Sequence, residues 1–283
     1  MEFIRAKSAG FCMGVSLALH KLDEIIEKKN ISGDIYILGS IIHNPQVVAA
    51  YAEKGVISAD SPEDIPAGSI VVIRAHGITK QVQYSLSQRG IHVIDATCPK
   101  VKDACLLIED NTDKGRVLLL FGEEAHPEVK CLLSYAAGDT IVFDSLEECQ
   151  KCDINPDFKY CLAAQTTQDK HIFDAISREL SKRKGLDLVV LHTICDATKM
   201  RQGEAINIAD QSDFVIVAGG YNSSNTRRLA QVIETSGTKA LHVETADELP
   251  LAELRKFDKI GLTAGASTPK KIVDQIQAAL ESL

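Results

Sequence analysis

Short apolar runs rich in Val, Ile and Leu recur along this chain, each ending in a polar or glycine-containing loop and leading into a stretch of helical periodicity. Runs of this length alternating with helices of ten or so residues read as strands of parallel sheets. A strand over 3–7 comes first, followed by a helix over 15–28. Strand 34–40, helix 46–54, a short strand at 56–57, an acidic connector at 61–66, strand 69–75, helix 80–89 and a strand from 91 then form one unit. The order repeats in a second unit: helix 100–111, strand 116–122, helix 129–136, strand 140–143, connector 145–148, strand 159–164, helix 170–184 and a strand from 188. A third runs through helix 199–209, strand 213–219, helix 226–235, strand 240–243, connector 245–250, strand 259–263 and a terminal helix, and stops one strand short. The orphan strand at 3–7 is therefore expected to complete the third sheet. The fold class is α/β: three small units, related by an approximate threefold, with mainly parallel sheets. Their boundaries fall at 14–97, 98–194 and 195–283, the last completed by 1–13.

The repeat carries a chemical mark. A strand leads to Cys12, to Cys98 and to Cys195, and each cysteine stands at the mouth of a helical stretch; Pro99 after Cys98 suits a first helical position. Open α/β sheets bind ligands at the carboxyl ends of their strands. Taken singly, a free cysteine is more often a small buried hydrophobe than a ligand; three in matched places weigh against that. Three converging thiolates make a soft metal site, suited to zinc with a fourth ligand or to an iron–sulfur cluster, and spacing alone does not choose between them.

Composition narrows the class. The 283 residues are 45% hydrophobic and 25% charged, as in an ordinary globular protein, with no apolar run of membrane-spanning length and no basic-then-apolar leader. A cytoplasmic location is expected. The formal net charge of −8, without a basic stripe, argues against nucleic acid as a partner. Eight cysteines in such a chain suit metal ligands, redox thiols or core better than disulfides.

His43, His76, His126, Ser223, Asn225, Ser267 and the run Gln165-Thr166-Thr167 all fall at strand ends. Neutral donors backed by helix N-termini suit a phosphate or diphosphate. No lysine or arginine occurs among them, so recognition is expected to rest on short hydrogen bonds rather than on point charges. Glu128 is the one carboxylate immediately beside this set. It reads either as an acid at a helix N-terminus or as a proton donor in a dry pocket.

These residues resemble the 4-hydroxy-3-methylbut-2-enyl diphosphate reductase family. The likeness rests on Gly10-Phe11-Cys12-x-Gly14-Val15, Ser40-x-x-His43-Asn44-Pro45, Arg74-Ala75-His76-Gly77, Asp95-Ala96-Thr97-Cys98-Pro99 and His126-Pro127-Glu128-Val129. It continues through Gln165-Thr166-Thr167, Thr193-Ile194-Cys195-x-Ala197-Thr198, Asn222-Ser223-Ser224-Asn225 and Thr263-Ala264-Gly265-Ala266-Ser267. The resemblance implies a central [4Fe-4S] cluster on Cys12, Cys98 and Cys195 with one open iron. It implies an allylic diphosphate substrate bound by His43, His76, His126, Thr166, Thr167, Ser223, Ser224, Asn225 and Ser267, with Glu128, Thr166 and His126 as the catalytic groups. Reductive loss of the hydroxyl would yield isopentenyl and dimethylallyl diphosphate. Electrons would come from a ferredoxin or flavodoxin, since no Gly-rich dinucleotide fingerprint follows a strand.

Two other readings remain open at this level. Cys149-x-x-Cys152 with Cys161 could serve a non-catalytic redox or metal sensor. The strand-end loops alone could serve a hydrolase or isomerase.

Overall fold

In the computed structural model of the chain, residues 2–28 and 33–283 are described. They divide into two compact units, one made of Met1–Ser16, Ile42–Tyr51 and Asp196–Leu283, the other of Leu17–Ile41 and Ala52–Cys195.

The first unit holds one four-stranded parallel sheet. Its strands are β1 (Glu2–Arg5), β10 (Phe214–Ala218), β11 (Lys239–Val243) and β12 (Lys259–Ala264), in the order β11-β10-β12-β1. The opening strand does complete this sheet. β1 pairs with β12 in parallel from Glu2↔Lys259 to Arg5↔Leu262. Alternate residues of β10 enter two different cores: Ile216 and Ala218 pack with α11 (Lys270–Glu281), and Val215 and Val217 with α8 (Asp196–Ala209) and α9 (Ser224–Thr235). A strand covered on both faces must be apolar throughout, which is why FVIVA shows no polar alternation.

The second unit holds two such sheets. One contains β2 (Ile35–Leu38), β3 (Val56–Ala59), β4 (Ile70–Ile73) and β5 (His92–Asp95) in the order β3-β2-β4-β5. The other contains β6 (Val117–Phe121), β7 (Thr140–Phe143), β8 (Lys159–Ala164) and β9 (Asp187–Val190) in the order β7-β6-β8-β9. All pairings are parallel. Every sheet thus has its first strand at the centre, its second on one side, and its third and fourth on the other; in the first unit β1 takes the fourth place. Each has a switch point between its first and third strands, where the loops diverge and leave a crevice.

The helices differ from expectation at their starts. α4 (Pro99–Thr112), α5 (Pro127–Leu133), α8 and α9 begin within one or two residues of the candidate site residues. Caps and proline decide this. Pro99 and Pro127 occupy first-turn positions, the His126 ring accepts the Glu128 N–H, and the Ser223 hydroxyl accepts the Thr226 N–H. All three expected connectors contain helix, the one at 61–66 as a 3-10 turn over Pro62–Asp64. The segment at 145–148 enters α6 (Leu146–Lys151), capped by the Ser145 hydroxyl on the Glu148 N–H at 3.2 Å, and the segment at 245–250 runs through a 3-10 turn into α10 (Leu251–Leu254). All are too short and polar to show an apolar period.

Candidate functional site

The candidate residues occupy matched stations in the three sheets. His43, His126 and Ser223 each stand five residues beyond a first strand, β2, β6 and β10. His76, Thr167 and Ser267 each stand three residues beyond a third strand, β4, β8 and β12. These are the two loops that flank a switch point.

The cysteines follow the fourth strands, and one backbone hydrogen bond recurs at all three. The N–H of Cys98 donates to the Ala75 carbonyl at 2.9 Å, that of Cys195 to Thr166 at 3.0 Å and that of Cys12 to Ala266 at 3.1 Å. Each acceptor is the second residue past its third strand. Each cysteine also directly precedes a helix: α1 (Met13–Glu27), α4 and α8. At Cys12 the Val15 N–H, in the first turn of α1, points at the sulfur at 3.5 Å. Cys12, Cys98 and Cys195 are partly exposed, as is Cys152, whereas Cys105, Cys131, Cys149 and Cys161 are buried. Three accessible thiols of matched backbone geometry are a donor set that fits an iron–sulfur cluster.

In the first unit the polar loops close on one another. The Ser267 hydroxyl lies 3.2 Å from the His43 carbonyl, to which it donates, and 3.4 Å from the Ser223 hydroxyl. Gly220 makes this possible, because a Cβ there would sit 2.5 Å from the His43 carbonyl oxygen. Ser223, Ser224 and Asn225 form the buried N-terminal turn of α9. The side-chain nitrogens of Asn225 and Asn44 are buried without a hydrogen-bond partner among the described residues. A buried unpaired amide costs about 1–3 kcal/mol, so an unmatched donor at a helix N-terminus marks a place prepared for an anion.

The second unit gathers His76, His126, Glu128, Thr166, Thr167, Cys98 and Cys195. The rings of His76 and His126 meet edge to face at 5.4 Å. Nδ1 of His126 accepts the Glu128 N–H at 3.1 Å, which leaves the proton of a neutral ring on Nε2 as an outward donor. Glu128 is 1% exposed. Burial pushes its carboxyl up to about 7, against the opposing pull of bonds from the Thr166 N–H and hydroxyl. The N–H bond measures 2.6 Å. The Thr166 peptide thus holds Glu128 through its nitrogen and Cys195 through its carbonyl. Thr167 Oγ1 accepts from Gln165 Nε2 at 3.1 Å, which turns its hydroxyl proton outward.

Although no arginine is among the candidate strand-end residues themselves, guanidinium groups stand beside these loops. Arg227, on the first turn of α9, donates to the Ser224 hydroxyl at 3.2 Å and to the Tyr221 carbonyl at 3.1 Å. Arg74 directly follows β4, with its Nε on the Gly77 carbonyl at 3.4 Å, and buried Arg201 donates to carbonyls in the loop before Cys12 and at the end of β12. Sequence reasoning passed over Arg201 and Arg227 because they lie inside helices, where an arginine ordinarily reads as a solvated face. The alternative in which Cys149, Cys152 and Cys161 act together gains no support. Cys149 and Cys152 pack in the core on one face of the β6–β8 sheet and Cys161 in the core on the other, because Cys161 alternates with its neighbours Tyr160 and Leu162.

Similarity to known proteins extends over essentially the full chain. A family model described as LytB protein matches residues 3–281. A 4-hydroxy-3-methylbut-2-enyl diphosphate reductase of Oleidesulfovibrio alaskensis is 53% identical, with 100% of both chains covered. One of Clostridioides difficile is 37% identical over 98% of each chain. Among solved structures, the E-1-hydroxy-2-methyl-but-2-enyl-4-diphosphate reductase from Plasmodium falciparum superposes with a TM-score of 0.92 at 27% identity, covering 98% of this chain and 87% of that one.

Proposed function

The chain belongs to the LytB protein family, and on that premise we propose that it reduces 4-hydroxy-3-methylbut-2-enyl diphosphate to isopentenyl and dimethylallyl diphosphate. The conversion replaces an allylic C–O bond by C–H, consuming two electrons and two protons and releasing one water. The observation that carries the reading is the hydrogen bond repeated at Cys12, Cys98 and Cys195, which sets three thiols at equivalent stations, one beyond the fourth strand of each sheet. These three would hold a [4Fe-4S] cluster. When bound, such a cluster supplies single electrons and, at the iron without a protein thiolate, Lewis acidity toward a hydroxyl.

The remaining residues bind, orient and protonate. The Ser223, Ser224, Asn225 and Ser267 side chains would donate to diphosphate oxygens, with the N-terminus of α9 and Arg227 behind them balancing charge. His43, His76 and His126 would add imidazole N–H donors, His126 through Nε2. Glu128, its carboxyl pushed up to about 7 by burial and so carrying its proton in a large share of molecules at neutral pH, would deliver that proton toward the departing hydroxyl or the allylic carbon. Thr166 fixes the carboxyl for that transfer, and Thr167 adds a further donor to the substrate. Electrons would come one at a time from a ferredoxin or flavodoxin. No helix among the described residues is long and apolar enough to cross a membrane, and eight free thiols suit a reducing compartment such as the cytoplasm.

The test is anaerobic purification followed by visible spectroscopy and turnover with a reduced viologen. A brown protein that consumes the substrate and releases both products is expected. A colourless protein, or a cluster-loaded one that leaves the substrate intact, would overturn the proposal.

A further inference from the structure

Of the three cysteine loops, the one before Cys12 is the longest. Cys98 stands three residues beyond β5 and Cys195 five beyond β9, but Cys12 stands seven beyond β1. A longer loop has more conformations to lose and more backbone groups without sheet partners. It includes Gly10 at φ +127°, a conformation side-chain-bearing residues avoid.

Two charged side chains of α8 take up that loop's free groups. Arg201 is 3% exposed. One of its terminal nitrogens donates to the Ser8 carbonyl and to the Ala264 carbonyl at 3.2 Å, and the other to the Gly10 carbonyl at 2.8 Å. Glu204, three residues on, accepts the N–H of Lys7 at 2.7 Å, the N–H of Ser8 at 3.0 Å and the Ser8 hydroxyl. The bond to Ala264 ties the loop to the end of β12, two residues before Ala266, whose carbonyl receives the Cys12 N–H. Gly10, Cys12, Ala266, Ala264 and Arg201 therefore form a closed circuit of covalent and hydrogen bonds around the thiol. At the station of Arg201, six residues past the cysteine, α1 carries Ala18 and α4 carries Ala104, both buried. A buried guanidinium is costly, and here it is repaid by carbonyls of the Cys12 loop and of the end of β12 and by the neighbouring Glu204 charge.

We propose that Arg201 and Glu204 are the positioning pair of Cys12, holding its loop in the ligating conformation before a cluster binds. The inference rests on the assignment of Cys12 as a cluster ligand. Arg201 and Glu204 do not touch substrate. They act by sparing the loop an ordering cost that cluster binding would otherwise meet, and by keeping the sulfur at a fixed angle to the metal. A pair of this kind governs how firmly the cluster is held and what its spectrum looks like.

The experiment compares full-length wild-type protein with Arg201→Gln, Arg201→Lys, Glu204→Ala, Cys12→Ser and Leu280→Ala, all reconstituted anaerobically with iron and sulfide. Leu280 lies in the core of the same unit, 2% exposed, and makes no part of the circuit; its truncation measures plain destabilisation. Melting temperature without cluster, iron and sulfide per chain, the paramagnetic resonance spectrum of the reduced cluster and the rate of iron loss to a chelator are read for each. Arg201→Gln and Glu204→Ala are expected to lose iron about 10–100-fold faster than wild type, with an altered resonance spectrum, the usual span when a ligand's outer partner is removed. Arg201→Lys falls between, because an ammonium cannot span three carbonyls as a planar fork does. Leu280→Ala is expected to melt lower yet keep the wild-type spectrum and rate. Wild-type spectrum and iron loss in folded Arg201→Gln would overturn the proposal; if that variant does not fold, the same result in Glu204→Ala does so. Cluster content and spectrum unchanged in Cys12→Ser would instead show that the ligand assignment itself, and not the clamp, has failed.

Discussion

Glu128 offers the sharpest test, because a single substitution should move stability and catalysis in opposite directions. Glu128→Gln keeps the side-chain oxygen that accepts the Thr166 N–H and removes only the titration. Raising a carboxyl from 4.5 to about 7 by burial corresponds to about 3 kcal/mol at 1.36 kcal/mol per unit. The fold binds this proton more tightly than the unfolded chain does. Its contribution is therefore complete below pH 4.5 and is lost as pH rises through about 7. Cluster-free wild-type protein should lose about 3 kcal/mol of unfolding free energy from this group between pH 4.5 and 8, and Glu128→Gln should not. Other groups titrate equally in both proteins, so the difference between two urea-denaturation series isolates Glu128. At pH 8 the variant should be the more stable. In turnover it should be slower by about two to four orders of magnitude, the span of a lost general acid. The wild-type decline in rate above pH 7 should be absent in the variant. Parallel stability curves, or undiminished turnover, would refute the reasoning.

Three further outcomes follow from the geometry. Asn225→Ala removes a buried amide nitrogen that has no partner among the described residues, so the melting temperature should hold or rise. Substrate affinity should nevertheless fall about 10–100-fold, as for a hydrogen bond to a charged group; unchanged binding by calorimetry would remove Asn225 from the diphosphate set. Gly220→Ala places a Cβ 2.5 Å from the His43 carbonyl oxygen and should raise KM while leaving the cluster absorbance intact, an expectation that an unaltered KM would defeat. Cys98→Ser should abolish cluster binding, whereas Cys152→Ser, at a thiol whose hydrogen bond reaches only the Glu148 carbonyl within its own helix, should keep iron content near wild type. Equal iron loss in both would break the ligand assignment.

The repeat itself was legible because parallel strands covered on both faces leave an unmistakable trace, as in IVVI of β4 and VLLLF of β6. The loops were legible because the chemistry stands at strand ends, and strand ends are marked by where the apolar runs stop. Helix starts were read late, since what begins α5 and α8 is a cap or a backbone bond rather than an apolar period. The role of Glu128 lay between: its place beside His126 was visible, but its raised affinity for a proton comes from burial, which no neighbouring residue in the chain announces.

By itself, the order of residues determined the strand count, the orphan strand's destination and the matched places of Cys12, Cys98 and Cys195 after the fourth strands, since each follows from local periodicity read three times over. Tertiary structure alone decided that Arg201 and Glu204 belong to the Cys12 loop, from which Ser8 is 193 residues distant from Arg201. It alone decided that Cys161 turns away from Cys149, and that one threonine peptide would serve both an acid and a thiol. The reason is physical: periodicity reports which face of an element is apolar, whereas a hydrogen bond between distant segments leaves no period in either of them.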